Sequence, residues 1–480
     1  MERVVDSETT ALLSRPAYEL ADLVRNGQIS SRELVEATLA QIEAKKALNA
    51  FTLVDAEGAL AAADAIKPGD PRPFAGVPIA IKELNAVAGQ QFTNASDVFG
   101  DFRVSYDSYV VRHIRDAGFV LVGRTNAPEF GIVPVTEPRR FGATRNPWNL
   151  DHTPGGSSGG AAAAVAGGIL PLSHATDGAG SIRIPAACCG LVGLKPSRGR
   201  VSSGPDAGDS YLSVNGCVSR SVIDTARFLD VISGYEVGDS TWAPAPSESF
   251  AVSAAREPKT LRIALAVESP LGTPVDPRHV QAARDAAQVL SSLGHEVEEA
   301  APPNWRVEQL LPTFKLLWGA GIASGVQYGA SVTQRTPSPE LVEPLTWMFY
   351  HYGVSGKASD VIGAMVQMQN YARALVAFFT AYDILLTPAL GQPPLRVGEL
   401  NTSGADPEAE FNKAIVFSPF TATFNVTGQP AISLPLYQGD EGLPLGVQLV
   451  GGPLGEGTLL SLARQLETAL PWADRVPSEA

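Results

Sequence analysis

Apolar residues recur at helical spacing from Leu34 to Ala47, behind a Ser30-x-x-Glu33 pair that has the form of a capping box. The same period returns from Ala56 to Ile66 and stops at Pro68-Gly69. An uninterrupted apolar run, Val77 to Ile81, predicts a buried strand that ends on a cation, Lys82. Tyr106 to Asp116 reads as a helix and Val120 to Gly123 as a strand. Ala161 to Ala166 follows as an Ala-rich helix, Ile169 to Ala175 as a strand, and Thr176 to Arg183 as a loop. Pro and Ser dominate from Ala243 to Glu257, which reads as a linker or long surface loop. Leu261 to Val267, Val280 to Leu293 and Glu296 to Glu299 form a strand–helix–strand pattern. Val307 to Ala381 is helical and rich in aromatics, and Asp383 to Thr387 looks like a strand. Ala431 to Leu436 and Leu445 to Val450 predict a hairpin around Gly439-Asp440-Glu441-Gly442, and a last helix lies near Thr458 to Leu470. Strands alternating with amphipathic helices predict an α/β fold, a sheet covered by helices.

Composition narrows the function classes. With 45% hydrophobic and 18% charged residues in 480, the chain is an ordinary globular one. Fifty acidic against 36 basic residues leave a net charge of −14, which repels phosphate backbones and anionic membranes, so neither nucleic acid nor a bilayer is expected as partner. Three cysteines, Cys188, Cys189 and Cys217, cannot build a disulfide framework or a four-thiolate metal site. Few cysteines and an acidic start, Met1 to Thr10, predict a cytoplasmic protein without a signal peptide. The longest small-apolar stretch, Gly159 to Leu172, falls short of the roughly 20 residues a bilayer span needs. Six scattered histidines, with no HExxH pair, give no support to a metallohydrolase.

The chemistry concentrates between Thr153 and Arg200, where Gly, Ala and Ser take over. Gly155-Gly156-Ser157-Ser158-Gly159-Gly160 leaves two hydroxyls without bulky neighbours. A second bare loop, Thr176-Asp177-Gly178-Ala179-Gly180-Ser181-Ile182-Arg183, ends in another serine. Consecutive N–H groups in such a loop can converge on a developing oxyanion. Serine needs a base, and no histidine stands in an obvious partner position, although His174 is close in sequence. The other base open to serine is a desolvated, neutral lysine, for which Lys82 is best placed. A phosphate-cradle reading of the glycines lacks the following Lys-Ser/Thr. A G-x-S-x-G elbow needs a strand just before the serine, whereas Asn146 to Pro154 is polar and proline-broken.

These residues resemble the amidase signature family. The likeness is densest from Gly76 to Arg200 and returns in Tyr382-Asp383-Ile384-Leu385-Leu386-Thr387-Pro388 and in Phe424-Asn425-x-Thr427-Gly428-x-Pro430-Ala431. Within the family the chain resembles bacterial amidases of the nylon-oligomer cyclic dimer hydrolase type. The resemblance implies one large α/β domain over residues 1–480, with a mixed central β-sheet covered by helices on both faces. It implies Ser181 as nucleophile, Ser157 as a bridging serine after a cis peptide, and Lys82 as base. The implied oxyanion hole is the N–H groups of Gly178, Ala179, Gly180 and Ser181, with Ser158, Asp177 and Arg183 supporting. Two positions depart from the family pattern: Glu83 stands where Asp is usual, and Ala179 replaces the first glycine of the usual pair. Both weaken transfer of substrate preference.

The implied activity is hydrolysis of a carboxamide C–N bond through an acyl-enzyme, with no metal and no organic cofactor. The ligand is then a small-molecule amide or carbamate. A carbamate (urethane) or ester hydrolase on the same site is the alternative, as is the A subunit of a glutamine-dependent tRNA amidotransferase. Monomer and homodimer both stay open. Asp177 and Arg183 read as a pair bracing the loop, His174 as a core histidine, and Cys188 and Cys189 as packing residues. Phe314, Trp318, Trp347, Phe349, Tyr350 and Tyr352 read equally as core or as the wall of a substrate cover over about 307–381.

Overall fold

In the computed structural model, residues 11–206, 208, 211–439 and 441–477 are described. The acidic start Met1–Thr10 and Asp440 of the predicted turn lie outside the described residues.

Two sheets frame the molecule. The smaller has the order β1-β3-β2, from β1 (Phe51–Val54), β2 (Pro78–Lys82) and β3 (Val120–Thr125). β2 runs parallel to β3, with Lys82 opposite Thr125, and β1 runs antiparallel to it. Every residue of β2 and β3 is buried, as continuous apolar runs require. The larger sheet is built from β4 (Leu172–Asp177), β5 (Val192–Lys195), β6 (Val214–Ser219), β7 (Arg262–Leu265), β8 (Glu296–Glu299), β9 (Ile384–Pro388), β10 (Ala431–Gln438) and β11 (Pro444–Gly451). Its order is β4-β6-β5-β10-β11-β9-β7-β8. β7 pairs parallel with both β8 and β9, and the other ladders are antiparallel, so the sheet is mixed.

Side-chain alternation buries both faces. Leu386 and Leu449 join a core with helices Val222–Ile232, Pro277–Ser292 and Glu456–Ala469. Their neighbours Leu385 and Val450 turn to the opposite face, against Phe420 and Phe424. This is the α/β architecture the periodicity predicts.

Several elements differ from expectation, each for a local reason. Arg183, the last residue of the predicted loop, instead opens a helix, Arg183–Cys189. Its Pro185 sits in the first turn, where no intrahelical N–H is needed. The strand predicted at Ile169–Ala175 is shifted to Leu172–Asp177, so Thr176 and Asp177 leave the loop and enter β4. The Pro/Ser-rich stretch contains a helix, Phe250–Ala255, capped by the Ser249 side chain. The helical region divides into Leu311–Val332, Pro344–Ser355 and Ala358–Val376, interrupted where Pro337 and Pro339 fall. Ser30 and Glu33 do form the capping box of Ser31–Ala44. No helix among the described residues is long and apolar enough to cross a membrane.

Candidate active site

Three segments converge where the small sheet meets β4. Lys82 is the last residue of β2, and its side chain is entirely buried. Its Nζ lies 2.8 Å from Ser157 Oγ, 2.8 Å from Ser158 Oγ and 2.9 Å from Thr176 Oγ1. Burial pushes its pKa well below that of an ordinary lysine, and the nearby Asp177 charge only partly opposes this. Three hydroxyls around an amine without a contacting carboxylate are suited to a neutral amine.

The serine pair comes from a tight glycine turn. Gly155 has a φ of +79°, and a Cβ there would lie 2.9 Å from Cys188 Sγ. At Gly156 a Cβ would lie 2.7 Å from the Val135 backbone, so no side chain fits. The Gly156–Ser157 peptide is cis. Ser158 ties this turn to β4: its hydroxyl donates to Thr176 O at 3.2 Å.

The third segment is the turn from β4 into helix Arg183–Cys189. Asp177 and Arg183 are both fully buried and bond bidentately, Nε to Oδ2 and Nη2 to Oδ1, each at 2.9 Å. Burial alone would raise the Asp177 pKa, but Arg183 holds it well below the usual carboxylate range. Arg183 also donates to Asn425 Oδ1, Gln448 Oε1 and Thr421 O. The pair thus fastens the serine loop to β11 and the 421–425 segment. Arg183→Met should destabilise the fold by about 3–5 kcal/mol, because it strands a buried carboxylate. A lowered urea midpoint measures this; an unchanged midpoint contradicts it.

The loop departs from the implied oxyanion hole at Gly180. Its N–H donates to Asp177 Oδ1 at 2.7 Å, so this donor is already engaged. The carboxylate that braces the loop from below also claims that amide. Ala179 and Ser181 line the cleft, and among the described residues their N–H groups have no protein acceptor. Gly178 lies under the Trp318 ring. Ser181 is 7% exposed, its carbonyl accepting from Ser158 N–H at 3.3 Å. No hydrogen bond joins the Ser157 and Ser181 hydroxyls among the described residues.

The remaining candidates sort clearly. His174 is fully buried, its pKa pushed down to about 3, chiefly by burial, and it bonds Asn215 Oδ1. It is a neutral core histidine. Cys188 and Cys189 are buried thiols whose pKa burial raises. Glu83 is buried and accepts from Thr52 and Thr93 hydroxyls, with Arg124 at 3.9 Å. Phe314 and Trp318 line the cleft, Phe349 is core, and Tyr352 is exposed. Thr176, the third hydroxyl at Lys82, went unnoticed in the sequence. So did Asn425 and Gln448, although Asn425 stands inside the quoted Phe424–Ala431 segment.

Above Ser181 opens a cleft of about 900 Å³, including its mouth. It lies between the serine loop, residues 131–134, the 411–426 region and the helices that begin at Leu311 and Ala358.

A family model described as Amidase matches residues 33–460. The chain is 39% identical over 483 aligned positions to the 6-aminohexanoate-cyclic-dimer hydrolase of Paenarthrobacter ureafaciens, covering 97% of each. It superposes on a structure of 6-aminohexanoate cyclic dimer hydrolase with a TM-score of 0.93 at 37% identity, covering 97% of this chain and 99% of that one. A bacterial aryl acylamidase of the amidase signature enzymes superposes with a TM-score of 0.86 at 27% identity, covering 96% and 97%. The glycine-serine turn, the buried lysine and the serine loop sit inside the matched region, and the chain belongs to the amidase family, the amidase signature enzymes, which hydrolyse amide C–N bonds.

Proposed function

We propose that this amidase works by acyl transfer to Ser181, with Ser157 and Lys82 as a proton relay. The observation that carries this reading is the 2.8 Å approach of a fully buried Lys82 Nζ to Ser157 Oγ, beside a serine loop on the cleft floor. A neutral Nζ donates its two protons to Ser158 and Thr176 and accepts from the Ser157 hydroxyl. Ser157 then takes the proton of Ser181 as Ser181 Oγ attacks the substrate carbonyl carbon. The tetrahedral oxyanion is held by the N–H groups of Ala179 and Ser181. As the C–N bond breaks, Ser157 delivers a proton to the leaving nitrogen, which departs as a neutral amine. Water enters, loses a proton through the same relay, and releases the carboxylic acid with Ser181 restored. The relay requires the Ser157 and Ser181 hydroxyls to lie within hydrogen-bond reach in the substrate complex.

Matched amide, ester and carbamate substrates test the reading. Acyl transfer predicts one common acyl-enzyme: an amide and an ester of the same acyl group should give the same hydroxamate-to-acid ratio when hydroxylamine competes with water, and a serine-directed fluorophosphonate should label Ser181. Labelling elsewhere, or ratios that differ between the amide and the ester, overturns it.

Thr176 serves as a positioning residue for the amine. Thr176→Val should lower kcat about tenfold, roughly the worth of one hydrogen bond to a critical group, with KM little changed. The hydroxyl also favours the ammonium form, so its loss should move the alkaline rise of kcat to lower pH. A KM effect with an unmoved pH profile would assign Thr176 a merely structural role.

A further inference from the structure

Among the described residues lining the cleft over Ser181, none carries a charge at neutral pH. Its wall is formed by Val307, Leu310, Phe314, Trp318, Met368 and Phe411. Lys315, whose Nζ lies 5.4 Å from the centroid of the Phe411 ring, is paired with Glu408. Asp177, beneath the serine loop, is committed to Arg183. A charged group entering the cleft therefore meets no charged side chain on the described lining, and apolar surroundings penalise it heavily.

The aromatic part of the wall is fixed next to the reacting serine. Phe314 and Trp318 stack, with centroids 5.5 Å apart and planes 19° from parallel. The Trp318 ring lies so close to the loop that a Cβ at Gly178 would approach its Cη2 to 3.1 Å. Trp318 Nε1 is buried with no acceptor among the described residues. The Tyr371 hydroxyl, also on the cleft lining, is likewise buried with no partner among the described residues, so the unpaired polar atoms of this wall are neutral groups that offer no counter-charge to an ammonium or a carboxylate.

We propose that the cleft selects neutral amides bearing a bulky apolar arm, rejects arms ending in an ammonium or carboxylate, and uses Trp318 as a specificity-determining residue. The inference rests on Ser181 being the acyl acceptor, which places this cleft on the reacting carbonyl. A flexible apolar arm gains by leaving water for this wall, and a stacked indole presents area without a rotamer cost.

Two substrate series test it. Hexanoyl-, 6-aminohexanoyl- and 5-carboxypentanoyl-4-nitroanilides vary the acyl arm. N-hexyl- and N-(6-aminohexyl)hexanamide vary the amine arm. On the arm that fills the cleft, charged members should show kcat/KM at least about tenfold below the neutral one. Equal values in both series overturn the proposal while leaving acyl transfer intact. Should no neutral amide be turned over, the acyl-transfer reading fails. Calorimetric binding of the same compounds to Ser181→Ala then still decides the selectivity. On whichever arm the two series place in the cleft, Trp318→Leu should lower kcat/KM for the six-carbon member relative to its acetyl or N-methyl counterpart about tenfold. That ratio is insensitive to a general loss of folded enzyme, and an unchanged ratio removes Trp318 from the proposal. Phe314→Leu, scored by the same ratio, substitutes if the Trp318 variant does not fold.

Discussion

Ser181→Ala should lower kcat/KM on a neutral amide by at least about a thousandfold, since removing one member of a concerted catalytic unit costs nearly as much as removing all of it. The variant keeps its fold. Ser181 is a small side chain at the cleft floor, its hydroxyl has no hydrogen-bond partner among the described residues, and the loop is held by Asp177 and Arg183. Residual turnover would come from the loop N–H groups and the cleft acting on a bound water. The variant should still bind substrate, so equilibrium binding and steady-state turnover should separate cleanly. Turnover near that of the parent would remove Ser181 as nucleophile.

Lys82→Met should lower kcat by about 10²–10⁴-fold, the usual contribution of a positioned base. The pH dependence gives the sharper test. Only the neutral amine can accept a proton from Ser157, so kcat should climb with pH and level off once Lys82 is deprotonated. Burial depresses this pKa, so the plateau should begin below the ordinary lysine range. Lys82→Met should lose the rise altogether. Stability follows the same group. Its folded pKa lies below its unfolded one, so between the two the unfolded chain binds more protons. This group's contribution therefore makes the fold more stable as pH rises through that window, and less stable as pH falls. Lys82→Met should flatten that dependence in a pH series of thermal melts. A parent profile flat from acid to alkaline pH would argue against a lysine base.

The parts of the site legible in the sequence are those whose chemistry is local. An apolar run that ends on a lysine offers a desolvated amine, and Lys82 is fully buried. A run of glycines around two serines announces a crowded backbone, which the Cβ clashes at Gly155 and Gly156 explain, but both hydroxyls are buried against Lys82 and not bare to the cleft. What stayed hidden depends on distant partners. Thr176 looked like a loop residue because the strand was placed three residues early at its start and two at its end, yet it meets Lys82 across the seam between two sheets. The engagement of the Gly180 amide by Asp177 is a matter of loop conformation that residue types do not reveal. β5 and β6 were missed because Gly193, Gly216 and the polar Asn215 and Ser219 dilute their apolar pattern. β1 was missed because four half-exposed residues resemble a connection. Asn425 and Gln448 carry no signal of their own until Arg183 is seen between them.

Lys82 rides on the small sheet, whereas Ser158, Thr176 and the serine loop are strapped to the edge of the large one. The proton path therefore crosses the seam between the two sheets, which the Ser173 hydroxyl bridges by donating to Ala80 O at 3.1 Å. A slide of an ångström or two along that boundary would silence the enzyme while every helix and strand stayed intact. Its turnover works as a gauge of docking between the two sheets, and heat or denaturant should extinguish it before the spectroscopic signs of melting begin.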